Sequence, residues 1–239
     1  MNNTIQTISL THLMIAFIPV AVILVILFKW SLNTKSAFYA VSRMLGQLLL
    51  VGYFLTYIFD SDNAMIILII LMVMLVSSSW IALRMVKTRR RTLFYNAFFA
   101  IALGGGTVLF IISQWVLNLD PWYFPRYMVP LAGMIFSNSM NSVSLAAERL
   151  YAELNRSVPL AEARKIALQA ALIPIVNSLF AVGLVSIPGM MTGQILSGVS
   201  PLIAARYQIM VMCMIFGAAG ISAACFLGLA GAGVVASKK

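Results

Sequence analysis

The placement of its basic residues constrains this chain more than any other feature of its sequence. Apolar runs near Ser9 to Phe28, Val41 to Phe59, Ala64 to Leu83, Leu93 to Leu117, Tyr127 to Ala146, Leu168 to Ile187 and Ala205 to Ala232 are each long enough to cross a hydrocarbon core, which takes about 20 helical residues. Lys29, Lys35, Arg43, Arg84, Lys87, Arg89, Arg90, Arg91, Arg149, Arg156, Arg164, Lys165, Lys238 and Lys239 then fall on one side of the membrane. Only Arg126 and Arg206 fall on the other, in company with Asp60, Asp62 and Asp120. Lys and Arg collect in short cytoplasmic loops. The expected fold is therefore an all-α integral membrane protein, a single bundle over residues 1–239 with seven spans, its N-terminus outside and its C-terminus cytoplasmic. Six or eight spans would scramble the separation of charge.

Composition excludes the soluble classes. With 62% hydrophobic and 9% charged residues, the chain has too little polar surface to cover a water-soluble globule. The formal charge of +10 is a topology signal and implies no nucleic-acid partner, because no soluble basic module carries it. The first ten residues hold no Lys or Arg, so the basic region of a cleavable secretory signal is missing and the first helix is expected to be retained. Cys213 and Cys225 lie twelve residues apart in one apolar run, about 18 Å along a helix, too far to bridge each other. They are expected to be buried free thiols.

Between the fifth and sixth spans, residues 147–167 form the one substantial cytoplasmic segment, an elbow carrying Glu148, Arg149, Glu153, Arg156, Glu162, Arg164 and Lys165. Ser157 can cap a helix and Pro159 fits a first helical turn, which predicts two helical arms with a turn at Asn155 to Ser157. The segment from Arg84 to Arg91 reads as a topology anchor that also meets anionic lipid headgroups. His12, without a carboxylate or second histidine nearby in sequence, reads as an interface residue.

Two stretches interrupt the apolar pattern. The fifth span contains Pro130, Gly133 and then Ser137-Asn-Ser-Met-Asn-Ser142, with Asn138, Asn141 and Ser142 sharing one helix face. The bland reading is hydrogen bonding between helices; the functional one is the polar wall of a translocation path. The second stretch, Pro174 to Gln208, breaks at Pro188, Gly189, Gly193, Gly198 and Pro201. Broken backbone at membrane depth survives only where protein or a water-filled cavity covers it. The stretch reads as a re-entrant or interfacial gate or else an external loop. Asn138, Met140, Asn141, Asn177, Met190, Met191, Thr192 and Gln194 are the candidate path residues, and Gly133, Pro174, Pro188, Gly189 and Gly193 the candidate gate or hinge. Methionine is first of all an adaptable packing residue, but Met134, Met140, Met190 and Met191 flank the two interruptions and thioethers suit soft ions. No metal-binding set is assigned. In the last span Gly220, Ala224, Gly228 and Ala232 form a stripe of small residues expected to make a close helix contact.

The chemistry that is missing narrows the function. The acidic residues fall in loops or at span ends, whereas proton- and ion-coupled carriers commonly keep a carboxylate inside the bundle. Gly104-Gly-Gly106 is followed by Thr107 and Val108 with no lysine near, so it is no phosphate-binding loop. Neither a His-Glu-x-x-His pattern nor a Ser/His/Asp set is present to suggest a membrane enzyme.

The runs Val129 to Met140, Ala171 to Pro174, Gly183 to Gly193 and Arg206 to Met210, with Arg43, Gly46 to Leu48 and Gly52 in the second span, resemble the iron-export permeases of bacterial ABC transporters and the related plant aluminium-tolerance half-transporters. The chain departs from that pattern at Ser137-Asn138, where Gly-Asn is common, and at Asn155-Arg-Ser157, where Leu-Gly-Ala is usual. The resemblance implies a permease subunit in the bacterial inner membrane that binds no cofactor itself. It would act as a homodimer and borrow ATP and Mg from a separate cytoplasmic ATPase, with the elbow from Glu148 to Lys165 as the coupling element. Iron, another metal or a nucleotide sugar is the implied cargo. An ATP-independent channel or carrier and a membrane scaffold are the alternatives.

Overall fold

The computed structural model describes residues 8–60, 63–86 and 90–236. The expectations for Asp62, Lys87, Arg89, Lys238 and Lys239 fall outside them. Among the described residues the regular structure is helical, joined by turns and short irregular connections, apart from one β-bridge between Val182 and Ser186. It divides into two units, residues 1–61 and 62–239.

In the first unit the expected first span is a broken helix, α1 (Leu10–Ile15) followed by α2 (Ile18–Lys29). Pro19 explains the break, because its ring displaces the carbonyl four residues back and it has no N–H to donate. The Ser9 hydroxyl caps α1 by accepting from His12 N at 3.3 Å, and Asn33 Oδ1 caps α3 (Thr34–Phe59) by accepting from Ser36 N at 3.1 Å. The His12 ring also pairs with Ser9 Oγ at 3.0 Å. None of the described residues of α1, α2 or α3 is buried within the chain.

The second unit holds α4 (Ala64–Ala82), α5 (Arg90–Phe110, continued by a π-helical turn, Ile111–Val116), α6 (Pro125–Asn155), α7 (Leu160–Ala181), α8 (Gly189–Leu196) and α9 (Pro201–Ala236). Helices α6 and α9 are its centre, α9 packing against α5, α6 and α7, and α6 against α4, α5 and α7. Small side chains let them close. Ala146, Ala147, Ala163, Ala167, Ala218, Ala219 and Ala223 are fully buried. The triple glycine has a structural role. A Cβ on Gly104 would lie 2.6 Å from Ser222 N on α9, and one on Gly105 3.0 Å from Ile135 Cγ2 on α6.

Among the described residues five helical stretches are long and apolar enough to cross a membrane: Leu10–Lys29, Thr34–Phe59, Ala64–Met85, Arg90–Val116 and Pro201–Gly231. The expected fifth and sixth spans lie in α6 and α7, which form as helices of 31 and 22 residues but carry more polar groups. Boundaries move in instructive ways. Helix α3 begins seven residues before the apolar run at Val41, and α7 eight before Leu168. Apolar runs mark only the hydrocarbon part of a helix, whose polar ends continue into the headgroups. At its other end α7 stops at Ala181, short of the expected Ile187, because Gly183 takes φ +83 and closes a turn onto Ser186 O.

Three local expectations are corrected. The elbow turn is built differently: Ser157, at φ +63, ends α6, with Ser157 N donating to Leu154 O and Val158 N to Glu153 O. This is the paired C-terminal bonding in which glycine is the usual residue. Pro159, not Ser157, stands at the N-cap of α7. The stripe on α9 is not one packed face, since Ala224 and Gly228 are exposed and a Cβ on Gly220 would meet only Leu172 within 4 Å, at 3.7 Å, while the side chain of Ala232 lies outside the described residues. The buried face of α9 runs instead through Ala218, Ala219, Ser222, Ala223 and Phe226. Finally, Cys213 is exposed and Cys225 half-buried.

Candidate functional site

Helix α6 starts at Pro125, just inside the turn that carries Asp120, and its first four turns form one wall of a series of cavities. The first, about 240 Å³, is lined by Asp120, Leu117, Tyr127 and Tyr207. The next, about 540 Å³, shares Leu117, Tyr127 and Tyr207 with it and adds Arg126, Met134, Met190 and Gln194. The third, about 360 Å³, shares Met134 and Met190 with the second and adds Asn138, Ser178, Ser186, Gly189, Gln208 and Met212. Tyr127 and Tyr207 meet one cavity and Asn138 and Met212 another, so α6 and α9 run in the same direction. From Phe124 to Asn138 the series descends about 20 Å, at 1.5 Å per helical residue. Beyond it α6, α7 and α9 close on their buried alanines.

The break between α7 and α9 is the reason these cavities exist. Helix α7 ends at Ala181 and Gly183 turns the chain, Pro188 stands at the N-cap of the eight-residue α8, and Gly198, φ +90, turns the chain again before Pro201 opens α9. A short helix laid between two long ones leaves space that the long ones cannot fill. The stretch is thus neither an irregular loop nor a further span.

The donors are mostly neutral. Asn138 Nδ2 donates to Met134 O at 2.8 Å, and Ser137 Oγ to the same carbonyl at 3.2 Å. Much of the polar patch on α6 is therefore satisfied within its own helix. One bond crosses to α7, from Ser142 Oγ to Ala171 O at 3.3 Å. Gln194 and Gln208 differ: each has a buried Oε1 without a hydrogen-bond partner, and Gln208 is only 5% exposed. Leaving a buried acceptor unmade costs about 1–3 kcal/mol. Two such oxygens, one in each of the larger cavities, mark places where a ligand or water has something to satisfy. Among the described residues no three His, Cys, Asp or Glu side chains come together as a metal-holding group.

Of the path residues expected from sequence, Asn138, Met190 and Gln194 line the two larger cavities, whereas Met140, Asn141, Asn177, Met191 and Thr192 line neither. Asn141 and Asn177 are exposed on the helix surface, and Thr192 Oγ1 donates to Pro188 O at 3.1 Å within α8. Of the hinge residues, Gly189 lines the third cavity, as does Pro188. Pro174 is accommodated inside a continuous α7, where the Ser178 hydroxyl donates to Pro174 O at 3.0 Å. A Cβ on Gly133 would make ordinary contact with Met74 at 3.5 Å, and one on Gly189 or Gly193 would meet nothing within 4 Å. Reasoning from sequence missed Gln208, Met212, Ser178 and Tyr207 as cavity residues. Only the relative register of α6 and α9 brings them to the site.

The elbow separates into two kinds of charge. Glu153 is buried on α6 with Arg149 Nη2 at 2.7 Å and Arg156 Nη1 at 3.7 Å. Arg164 reaches from α7 to α9, donating from Nε to Leu227 O and from Nη2 to Gly228 O, both at 3.1 Å. Gly231 makes room for it, because a Cβ there would fall on the guanidinium. Glu148, Glu162 and Lys165 are exposed. In the basic segment beyond α4, the Arg90 guanidinium lies 3.9 Å from the Trp80 ring centre and donates to Trp80 O at 2.7 Å.

The chain is similar to several curated proteins. It is 38% identical over 208 residues to the UPF0014 membrane protein slr1647 of Synechocystis sp. (strain ATCC 27184 / PCC 6803 / Kazusa), covering 79% of this chain and 80% of that one. It is 35% identical over 210 residues to the probable iron export permease protein FetB of Escherichia coli (strain K12), covering 81% and 80%. It is 32% identical over 221 residues to the protein ALUMINUM SENSITIVE 3 of Arabidopsis thaliana, covering 85% and 80%. No solved structure matches the chain. The family described as "Uncharacterised protein family (UPF0014)" matches residues 10–233, and with that coverage the chain belongs to UPF0014, a family of membrane proteins.

Proposed function

We propose that this chain is the membrane permease of an ABC-type exporter, moving a metal ion or a metal-related solute out of the cytoplasm of a bacterial cell with energy from a separate ATPase. The observation that carries the reading is the series of cavities that descends from the Asp120 turn to Asn138 and Gln208 and stops where α6, α7 and α9 close on alanine. That is the form of an outward-facing path, shut on the cytoplasmic side. A likeness to a relative named as a probable iron export permease supports the cargo class.

Helix α6 supplies the mechanical link. It runs unbroken from the cavity wall at Met134 and Asn138 to the elbow at Asn155. A push on the elbow is transmitted along one rigid body for about 26 Å, at 1.5 Å per residue over 17 residues. Arg164 ties the elbow arm of α7 to α9, the opposite wall. Closure of two ATPase subunits beneath a homodimer of this chain would therefore move both walls together. With seven spans and the N-terminus outside, as the distribution of Lys and Arg suggests, the elbow would lie on the ATPase side.

The test is co-expression with an ABC ATPase of the same organism, followed by reconstitution. The expected result is co-purification that weakens on Arg156→Glu or Lys165→Glu while membrane insertion stays intact, and ATPase activity that rises with metal. A chain that purifies alone and passes solute without ATP is a channel or carrier, and the proposal is then wrong.

A further inference from the structure

Three methionines from three different helices line the third cavity: Met134 of α6, Met190 of α8 and Met212 of α9. Their partners are placed by helical spacing. Met134 and Asn138 are four apart on α6, and Gln208 and Met212 four apart on α9, so each helix presents one thioether and one amide on the same face. Gln208 and Met212 are buried, 5% and 8% exposed, and Gln208 Oε1 has no hydrogen-bond partner. No carboxylate, imidazole or thiol lines this cavity. Cys213 and Cys225 are not among its residues.

We propose that this cavity is a soft-cation site that takes Cu(I), with Met134, Met190 and Met212 as thioether ligands and Gln208 Oε1 as the accompanying oxygen. Thioether sulfur is polarizable and selects Cu(I) among biological metals, whereas Mg, Ca and Mn want carboxylate and water oxygens. Charge points the same way. The cost of bringing an ion into a poorly polar interior rises with the square of its charge, and a wall with no anion to offset it favours a monovalent ion over any divalent one. A neutral site also releases its ion readily, as an export path requires. As a statement about cargo this rests on the permease reading above, and it departs from iron, the metal in the relative's name.

The experiment uses the full chain in detergent, carrying Cys213→Ala and Cys225→Ala so that its two thiols do not compete. Cu(I) is supplied anaerobically against bicinchoninate as competing chelator, with Ag(I) as a redox-inert second probe. One ion per chain is expected. Met134→Leu, Met190→Leu and Met212→Leu, which nearly conserve volume, each lower the affinity at least tenfold. Met140→Leu and Met191→Leu, outside the cavities, leave it unchanged. A hundredfold excess of Fe(II), Zn(II) or Mg(II) does not displace Cu(I). The proposal is overturned if the folded, monodisperse chain retains no Cu(I), if the triple leucine variant retains it as well as its parent does, or if Fe(II) displaces it at equal concentration. A chain that couples to an ATPase but binds no Cu(I) defeats this inference alone. One that binds Cu(I) but couples to no ATPase defeats the exporter reading alone.

Discussion

Replacing Gly104 by alanine adds a single methyl at the tightest approach of two long helices. Its carbon would stand 2.5 Å from Ser222 Oγ, 2.6 Å from Ser222 N and 2.9 Å from Ser222 Cα. Two of those atoms are α9 backbone, so no rotamer change relieves the overlap, and α5 and α9 must part by about 1 Å to restore ordinary contact. A gap of that size forfeits about a quarter to a half of the dispersion energy of each atom pair it opens. Overpacking of this kind costs about 1–3 kcal/mol. Alanine also returns up to about 1 kcal/mol of helix propensity. Gly106→Ala measures that gain separately, because a Cβ there meets nothing within 4 Å. The clash is therefore the difference between the two variants. At about 2–4 °C per kcal/mol for a chain of this size, Gly104→Ala should melt about 2–12 °C below Gly106→Ala when unfolding is followed by tryptophan fluorescence in detergent. Adding Ser222→Gly should recover little, since the backbone atoms remain. Equal melting temperatures for the two alanine variants would refute the packing argument.

Ser157→Gly should raise stability by about 1 kcal/mol, because φ +63 strains a residue with a Cβ and suits glycine; the same thermal assay reads it. Arg164→Ala removes two charge-assisted bonds to α9 worth about 1.5–3 kcal/mol each, and Gly231→Ala should displace the same guanidinium. Both variants are expected to insert normally yet to lose ATPase-driven transport together, and an effect of one without the other would separate the contact from the coupling. Gly189→Leu and Gly193→Leu should fold with unchanged melting temperature, there being open space at both. Unimpaired transport in both would remove them from any gate.

The sequence carried the helices because burial in lipid leaves a long apolar record, and it located the interruption after Pro188 because glycine and proline are visible one residue at a time. It did not reveal that the interruption is a short helix: Gly189 to Leu196 is as compatible with a loop until α9 is packed against it. Asn138, Met190 and Gln194 could be nominated since each stands in or beside an interruption. Gln208 and Met212 could not, for they sit within the regular run of α9 and acquire neighbours only through its register with α6. Asn141 and Asn177 are the complementary case, exposed on the helix surface and lining neither of the two larger cavities. Polarity in a membrane helix shows that a group needs company, but not on which face it finds it.

The alanines that close α6, α7 and α9 below the cavities have a mechanical consequence. Methyl groups raise shallow ridges, and where they face one another helices do not interlock as leucine ridges do in their grooves; Leu150 and Phe226 are the larger side chains buried among them. Displacement along such a contact strips few atoms from their neighbours at any moment, so the cost stays low throughout the movement. Small sliding of packed helices is a recognised mode of domain motion. The seal at Ala146, Ala147, Ala163, Ala167, Ala218, Ala219 and Ala223, fully buried as each of them is, is for that reason also easily sheared.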